Sequence, residues 1–153
     1  MKSCAFFGHR NMIMEQYREK LLHIIIDLIE NKDVTQFYSG FRGDFDLYCS
    51  SLIYELKDRY PHIKNTMVLS YIPGSMNEND GITLPKYFDD SVYLLERSVP
   101  KRLAIIETNK CLVDAVDFIV AGVITHCGGA YMACEYAYKR KKPIINVIDG
   151  WLI

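Results

Sequence analysis

The sequence predicts an α/β fold, a three-layer sandwich with helices on both sides of a mostly parallel sheet of about five or six strands. Three features of the 153-residue chain lead there. Short apolar runs recur without polar interruption, as they do in strands covered on both faces. Longer segments with apolar residues at helical spacing alternate with them. Glycine-containing polar turns follow several of the runs, where a strand hands over to a helix. Alternating units of this kind wind on both faces of the sheet in the Rossmann-like manner. They bring their strand-to-helix loops to one edge, where ligands of such folds bind.

The elements follow in order. Cys4 to Phe7 is a first strand, stopped by Gly8. A helix from about Met12 to Asn31 carries Leu21, Ile25, Leu28 and Ile29 on one face. Phe37 to Ser39 ends a second strand at Gly40, and a helix from about Asp44 to Arg59 follows with Phe45, Tyr48, Leu52 and Leu56 on one stripe. Pro61 prevents its continuation. Thr66 to Tyr71, Leu103 to Glu107, Phe118 to Val123 and Ile144 to Ile148 are read as four more strands. Helices are expected over about Asn109 to Val116 and Ala130 to Lys141, the latter burying Ala130, Ala133, Cys134, Ala137 and Tyr138. The stretch from Pro73 to Pro100 fits least well. It begins as a polar loop around Asn77 to Gly81, and Tyr87 to Arg97 reads as a short helix. One domain spanning 1–153 accounts for the whole pattern.

Composition narrows the function. Eighteen basic residues against nineteen acidic ones give a net charge of −1, which argues against nucleic acid or an anionic membrane as partner. The consecutive Lys139, Arg140, Lys141 and Lys142 are read as a solvated helix end, where cations suit the helix dipole. The five cysteines form no C-x-x-C pair and fit no zinc module, so no metal, no cofactor and no disulfide framework are expected. Cys4 reads as a small core residue. Cys127 lies beside a glycine loop without an evident base. No signal peptide and no apolar run of about 20 residues is present, and a cytoplasmic protein is expected.

Three loops carry chemistry. In Gly8-His9-Arg10 the glycine lets the chain turn off the strand, and the arginine forks onto a phosphate or pairs with a surface acid. His9 either donates to a ligand or fixes the turn. In Ser39-Gly40-Phe41-Arg42-Gly43-Asp44-Phe45-Asp46 two glycines flank a helix start, where unpaired N–H groups favour an anion. Ser39 adds a hydroxyl, and Asp44 reads as the N-cap. Asp46 either suits the helix dipole or accepts hydrogen bonds from a ribose diol. In Thr125-His126-Cys127-Gly128-Gly129-Ala130 paired glycines again enter a helix, with Glu135 about a turn and a half inside. None is a Walker loop or a full G-x-G-x-x-G. Their force lies in falling on one sheet edge. Tyr38, Tyr71 and Tyr131, near loop starts, either stack on a base or pack as half-buried aromatics.

At these residues the chain resembles the SLOG superfamily of Rossmann-like proteins, and more closely a group of small bacterial SLOG proteins. The matching elements are Phe7-Gly8-His9-Arg10, Tyr38-x-Gly40-x-x-Gly43-x-Phe45-Asp46, Thr108-Asn109-Lys110-x-x-Val113-Asp114 and Thr125-His126-x-Gly128-Gly129-Ala130. Their order spans nearly the whole chain. The resemblance implies a parallel sheet and a pocket for a nucleotide or nucleotide-derived ligand, but no particular reaction. It adds Thr108, Asn109 and His126 to the candidate ligand-binding residues, and it implies a homodimer.

The same superfamily contains phosphoribohydrolases that release a cytokinin base from its nucleoside monophosphate, through a P-G-G-x-G-T-x-x-E loop. Cys127 to Glu135 is similar in its two glycines and glutamate, and departs from it at the proline, third glycine and threonine. Those enzymes carry an arginine where Thr108 stands here, which puts hydrolysis in doubt. Arg10, Arg42 and Arg97 are the alternatives. The superfamily also includes a DNA-processing protein that binds single strands. Three functions follow: binding or sensing of a nucleotide-like phosphate ligand, N-glycosidic hydrolysis with Glu135 or Asp46 as general base, or a non-catalytic protein whose glycines only make turns.

Overall fold

The structure is a computed structural model, and it describes residues 1–70, 84–96 and 98–148. Tyr71, the polar stretch at Asn77 to Gly81, Arg97 and the apolar end Gly150-Trp151-Leu152-Ile153 lie outside the described residues.

The described elements run β1 (Lys2–Gly8), a short 3₁₀ turn (Glu15–Tyr17), α1 (Arg18–Asn31), β2 (Val34–Ser39), α2 (Asp44–Leu56), β3 (Lys64–Leu69), β4 (Asp90–Tyr93), α3 (Lys101–Ala115), β5 (Phe118–Gly122), α4 (Gly129–Lys139) and β6 (Ile144–Asn146). The six strands form one sheet in the order β4-β3-β2-β1-β5-β6, and every pair is parallel. This is the expected α/β, Rossmann-like arrangement.

Strand alternation divides the core. Cys4 and Phe6 of β1 pack with Leu21, Ile25, Leu28 and Ile29 of α1 and with Phe45, Cys49, Leu52, Ile53 and Leu56 of α2. Ala5 and Phe7, one residue out of phase, pack with Leu112 and Val113 of α3 and Ala133, Cys134 and Ala137 of α4. Each face of the sheet therefore carries two helices. The α1 stripe matches the one read from its spacing. On α4, Tyr138 is 60% exposed, because one step past Ala137 turns it about 100° off the buried face.

Two elements differ from the sequence reading. Leu103 to Glu107 is not a strand but the first turns of α3. Its apolar run is as compatible with a helix as with a buried strand, and the deciding period lies further on, in buried Ala104, Thr108 and Leu112 four residues apart. Leu103 and Ile105 are left partly exposed. Conversely, the segment read as a helix from Tyr87 to Arg97 contains β4, an edge strand paired to β3. Polar Asp90 and Ser91 are exposed there, and the Thr66 hydroxyl donates to Asp90 Oδ1 at 2.5 Å.

The basic run closes α4 through intramolecular partners. Arg140 Nε donates to Asp114 Oδ1 at 3.0 Å, and Lys142 Nζ to the Val116 carbonyl at 2.7 Å. All five cysteines are free: Cys4, Cys49 and Cys134 are buried, Cys111 and Cys127 exposed. Burial pushes the Cys134 thiol up to about 12. Among the described residues no helix is long and apolar enough to cross a membrane.

Candidate functional site

The strand order reverses between β1 and β5. From the end of β1 the chain moves toward β2, and from the end of β5 it moves to β6 on the other side. A crevice opens at such a point, because the two departing loops diverge. Gly8 and Gly122 are register partners there, and the His9 N–H donates to the Gly122 carbonyl at 3.2 Å. Phe45, from the first turn of α2, lies over both. A Cβ on Gly8 would come within 2.1 Å of its ring, and one on Gly122 within 2.5 Å. Phe45 is fully buried and meets Phe6 edge-on, with ring centroids 6.5 Å apart. An aromatic ring of the core is thus laid on the glycine pair at this point.

The first two loops are tied together. The Asp44 N–H donates to the Arg10 carbonyl at 2.8 Å, and Asp44 Oδ2 accepts from the Met12 N–H at 2.9 Å. Asp44 is therefore not the N-cap. That position belongs to Gly43, whose Cβ would lie 3.0 Å from Arg10 Cα. Close approach of the two backbones explains the glycine.

His9 holds the third loop. Its Nε2 accepts from the N–H groups of Ile124 at 2.8 Å and Thr125 at 3.3 Å. An accepting Nε2 carries no proton, so the neutral ring holds its hydrogen on Nδ1. Burial lowers the His9 pKa, in keeping with that state. His9 fixes the turn, the second of the two roles its position allows.

Beyond this latch the chain reaches Gly128, at φ +94°, the N-cap of α4. No side chain caps the helix, and the first backbone bond of its opening turn runs from Met132 N–H to Gly128 O at 3.0 Å. The N–H groups of Gly129 and Ala130 come before it. Among the described residues, nothing beyond the adjoining chain stands within 4 Å of where a Cβ on Gly128 or Gly129 would be.

These loops enclose a cavity of about 310 Å³. Gly8, His9, Arg10, Gly40, Gly43 and Asp46 line one side of it, and Thr108, Asn109, Gly128, Gly129 and Ala130 the other. The Arg10 guanidinium is exposed and has no partner among the described residues. Asp46 Oδ1 and Thr108 Oγ1 are buried without a hydrogen-bond partner among the described residues. Burial of Asp46 raises its carboxyl to about 7.

Three expected residues lie elsewhere. Ser39 is fully buried beneath the cavity, its hydroxyl sharing a 2.7 Å hydrogen bond with Ser50. As the last residue of β2 it points into the layer rather than out of its end. His126 is exposed, its ring edge-on to Tyr131 at 5.4 Å. Glu135 lines a second cavity of about 210 Å³, bounded by Ile106 and Lys110 of α3 and Met132 of α4. Its Oε2 accepts from the Tyr131 hydroxyl at 3.1 Å, and its Oε1 lies 3.7 Å from Lys139 Nζ. The two cavities share Asn109 and Gly129, and Glu135 lines only the second.

The motif reading passed over Gly122 and the role of Phe45. A lone glycine in the apolar run of β5 was the available signal, since strand glycines mark close approaches. Ile105 and Phe41 also line the cavity, and Arg42 lies 5.6 Å from the Phe41 ring centroid.

No protein-family model and no curated protein sequence matches the chain. Solved structures do. The chain is similar to DNA processing protein A (DprA) from Streptococcus pneumoniae, with a TM-score of 0.66 at 13% identity over 100% of this chain. It is also similar to DNA processing protein A from Helicobacter pylori, whose structure is described for its single-stranded DNA binding mode. There the TM-score is 0.63 at 14% identity over 95% of this chain. The chain spans 52% and 64% of the lengths of those two proteins. At such identity the likeness establishes a shared fold.

Proposed function

We propose that this chain is a SLOG-type domain that binds a phosphate-bearing nucleotide at the crevice between β1 and β5, with the phosphate on the open end of α4. The convergence of three glycine turns on one cavity carries this reading. The N–H groups of Gly129 and Ala130, the Arg10 guanidinium and the Thr108 hydroxyl, which have no side-chain partner among the described residues, offer an anion what it requires. A volume of about 310 Å³ suits a single nucleotide. The sequence motifs and the fold shared with DNA processing protein A support the superfamily assignment from independent directions.

The same phosphate chemistry has two sources, a free nucleotide or a residue within a single strand. The charge of −1 argues against a long polyanion track, but not against seating one nucleotide of a strand. The expectation against nucleic acid therefore loses weight beside a fold relative described as binding single-stranded DNA. Thermal melting with nucleoside monophosphates, inorganic phosphate and a 20-nucleotide single strand separates these cases. Monophosphates are expected to raise the melting temperature by several degrees, because a ligand bound only by the folded state stabilises it. A shift with the strand alone moves the reading to nucleic acid. No shift with any phosphate compound leaves the glycines as turns and overturns the proposal.

A second reading, N-glycosidic hydrolysis of a nucleotide, is favoured by one observation: a carboxyl raised to about 7 at the cavity wall suits a general base near neutral pH. The residue in that role is Asp46, since Glu135 opens on another cavity. Release of free base that survives Glu135→Gln and is lost in Asp46→Asn is the expected result. Release that depends on Glu135 overturns this assignment.

A further inference from the structure

We infer that the cavity selects ribonucleotides over their 2′-deoxy counterparts, with Asp46 Oδ1 accepting a hydrogen bond from a ribose hydroxyl while the phosphate lies at the α4 end. The inference deepens the binding reading above and rests on it.

Three buried side-chain oxygens lack a hydrogen-bond partner among the described residues: Asp46 Oδ1, Asn65 Oδ1 and Thr108 Oγ1. Two of them line this one cavity, from walls formed by different helices. A buried polar atom left unpaired is costly, so the two at the cavity are suited to pairing with groups of a ligand. The complements differ. At pH 8 the ionised carboxylate only accepts, whereas a threonine hydroxyl also donates.

That difference orients the ligand. A phosphate dianion carries no donor and is repelled by a carboxylate, so it does not belong beside Asp46. It belongs where donors point, at Gly129, Ala130 and Thr108. The group facing Asp46 must bring an O–H or N–H of its own. In a nucleotide, the sugar hydroxyls stand one ring away from the phosphate whatever the base. A vicinal diol presents two such donors, and the 2′-deoxy sugar has lost one. Asp46 is also held in place. A Cβ on Gly40 would lie 3.0 Å from Oδ2, which sets the second oxygen beside the β2–α2 turn, while Oδ1 is buried.

Titration calorimetry at pH 8 on the wild type, Asp46→Asn and Asp46→Ala tests this, with the four ribonucleoside 5′-monophosphates, their 2′-deoxy forms and inorganic phosphate as probes. The wild type is expected to bind at least one ribonucleotide about tenfold or more tightly than its deoxy form, the size of one lost hydrogen bond. In Asp46→Ala the ratio falls below about threefold, while inorganic phosphate binds as well as or better than before. Equal affinity of the wild type for ribo and deoxy forms overturns the inference, as does a preference that survives Asp46→Ala. If deoxynucleotides and inorganic phosphate still bind in either case, the binding reading stands and this inference alone fails. If none of the probes binds, both fail together.

Discussion

The ring of Phe45 occupies the space that a side chain on Gly8 would need: an added Cβ would sit 2.1 Å from Phe45 Cγ and 2.4 Å from its Cβ. Neither partner has room to yield, because Phe45 is fully buried against Phe6 and Gly8 is fixed in the β1–β5 ladder. Gly8→Ala is therefore expected to destabilise the fold by about 2–3 kcal/mol through overpacking. Adding Phe45→Ala, which removes Cγ and the ring, is expected to cost less in that variant than in the wild type, a coupling that urea unfolding of the single and double variants measures. A Gly8→Ala protein with the wild-type midpoint would place Phe45 elsewhere.

His9 joins the first loop to the third through an unprotonated nitrogen, which makes the link sensitive to pH. Its folded pKa lies below the ordinary 6.5, so the folded state binds fewer protons than the unfolded chain. The His9 contribution to stability is fully present above pH 6.5 and is lost as pH falls through the folded value. Arg10 and Asp46 line the same cavity as His9, and the difference between wild type and His9→Gln isolates the imidazole from them. That difference is expected to shrink below pH 6.5. Hydrogen-exchange protection of the Ile124 and Thr125 amides is expected to fall in the same window, which a purely steric role for His9 would not produce.

Asp46 has the opposite sign. Burial raises its carboxyl from the usual 3.8 to about 7, so the folded state holds a proton the unfolded chain has released. Its favourable contribution is complete below pH 3.8 and disappears as pH rises through about 7. Arg10, Arg42 and His9 line the same cavity, and Cys49 lies buried beside the carboxyl. Asp46→Asn is expected to stabilise the protein by about 2–4 kcal/mol at pH 8, with the gain vanishing near pH 4. Denaturant midpoints at the two pH values check it. A constant difference across that range would mean Asp46 is not desolvated.

These residues show what the sequence makes legible. The sheet, the α1 stripe and the gathering of Gly8, Gly40, Gly43, Gly128 and Gly129 at one edge all follow from local patterns, because apolar period and turn chemistry act over a few residues. Leu103 to Glu107 failed for the complementary reason. A run of apolar residues is ambiguous until a longer period resolves it, and here the resolving residue, Thr108, is polar and buried. Glu135 matched a family motif by spacing, yet it lines the neighbouring cavity rather than the one the glycine loops enclose. The His9 latch and the Gly122–Phe45 contact join segments more than 75 residues apart in the chain, a distance at which no local pattern operates.

Thr108 separates stability from binding. Its hydroxyl is buried without a partner among the described residues, and valine has the same shape without the polar atom. Removing an unsatisfied group is expected to stabilise the fold by about 0.5–1 kcal/mol. The same change removes a donor from the phosphate end of the cavity, so inorganic phosphate is expected to bind Thr108→Val about fivefold or more weakly, the size of one lost hydrogen bond. A variant that is both less stable and equally able to bind would show that the hydroxyl is satisfied within the protein.

Gly129 offers the sharpest form of the same test. It is the first residue of α4, and a side chain there meets nothing within 4 Å. An aspartate at a helix N-terminus interacts favourably with the dipole, by about 0.3–1 kcal/mol. Gly129→Asp also replaces a flexible glycine, so its melting temperature is expected to match or exceed that of the wild type. Yet its carboxylate would stand where the phosphate is proposed to sit, supplying the negative charge that the helix end otherwise takes from a ligand. Phosphate and nucleotide binding should therefore disappear from a protein that is at least as stable, while Gly129→Ala, neutral and equally unhindered, should retain most of it. Loss of binding in both variants would point to a need for glycine itself at the helix mouth. Retention in both would move the anion away from α4.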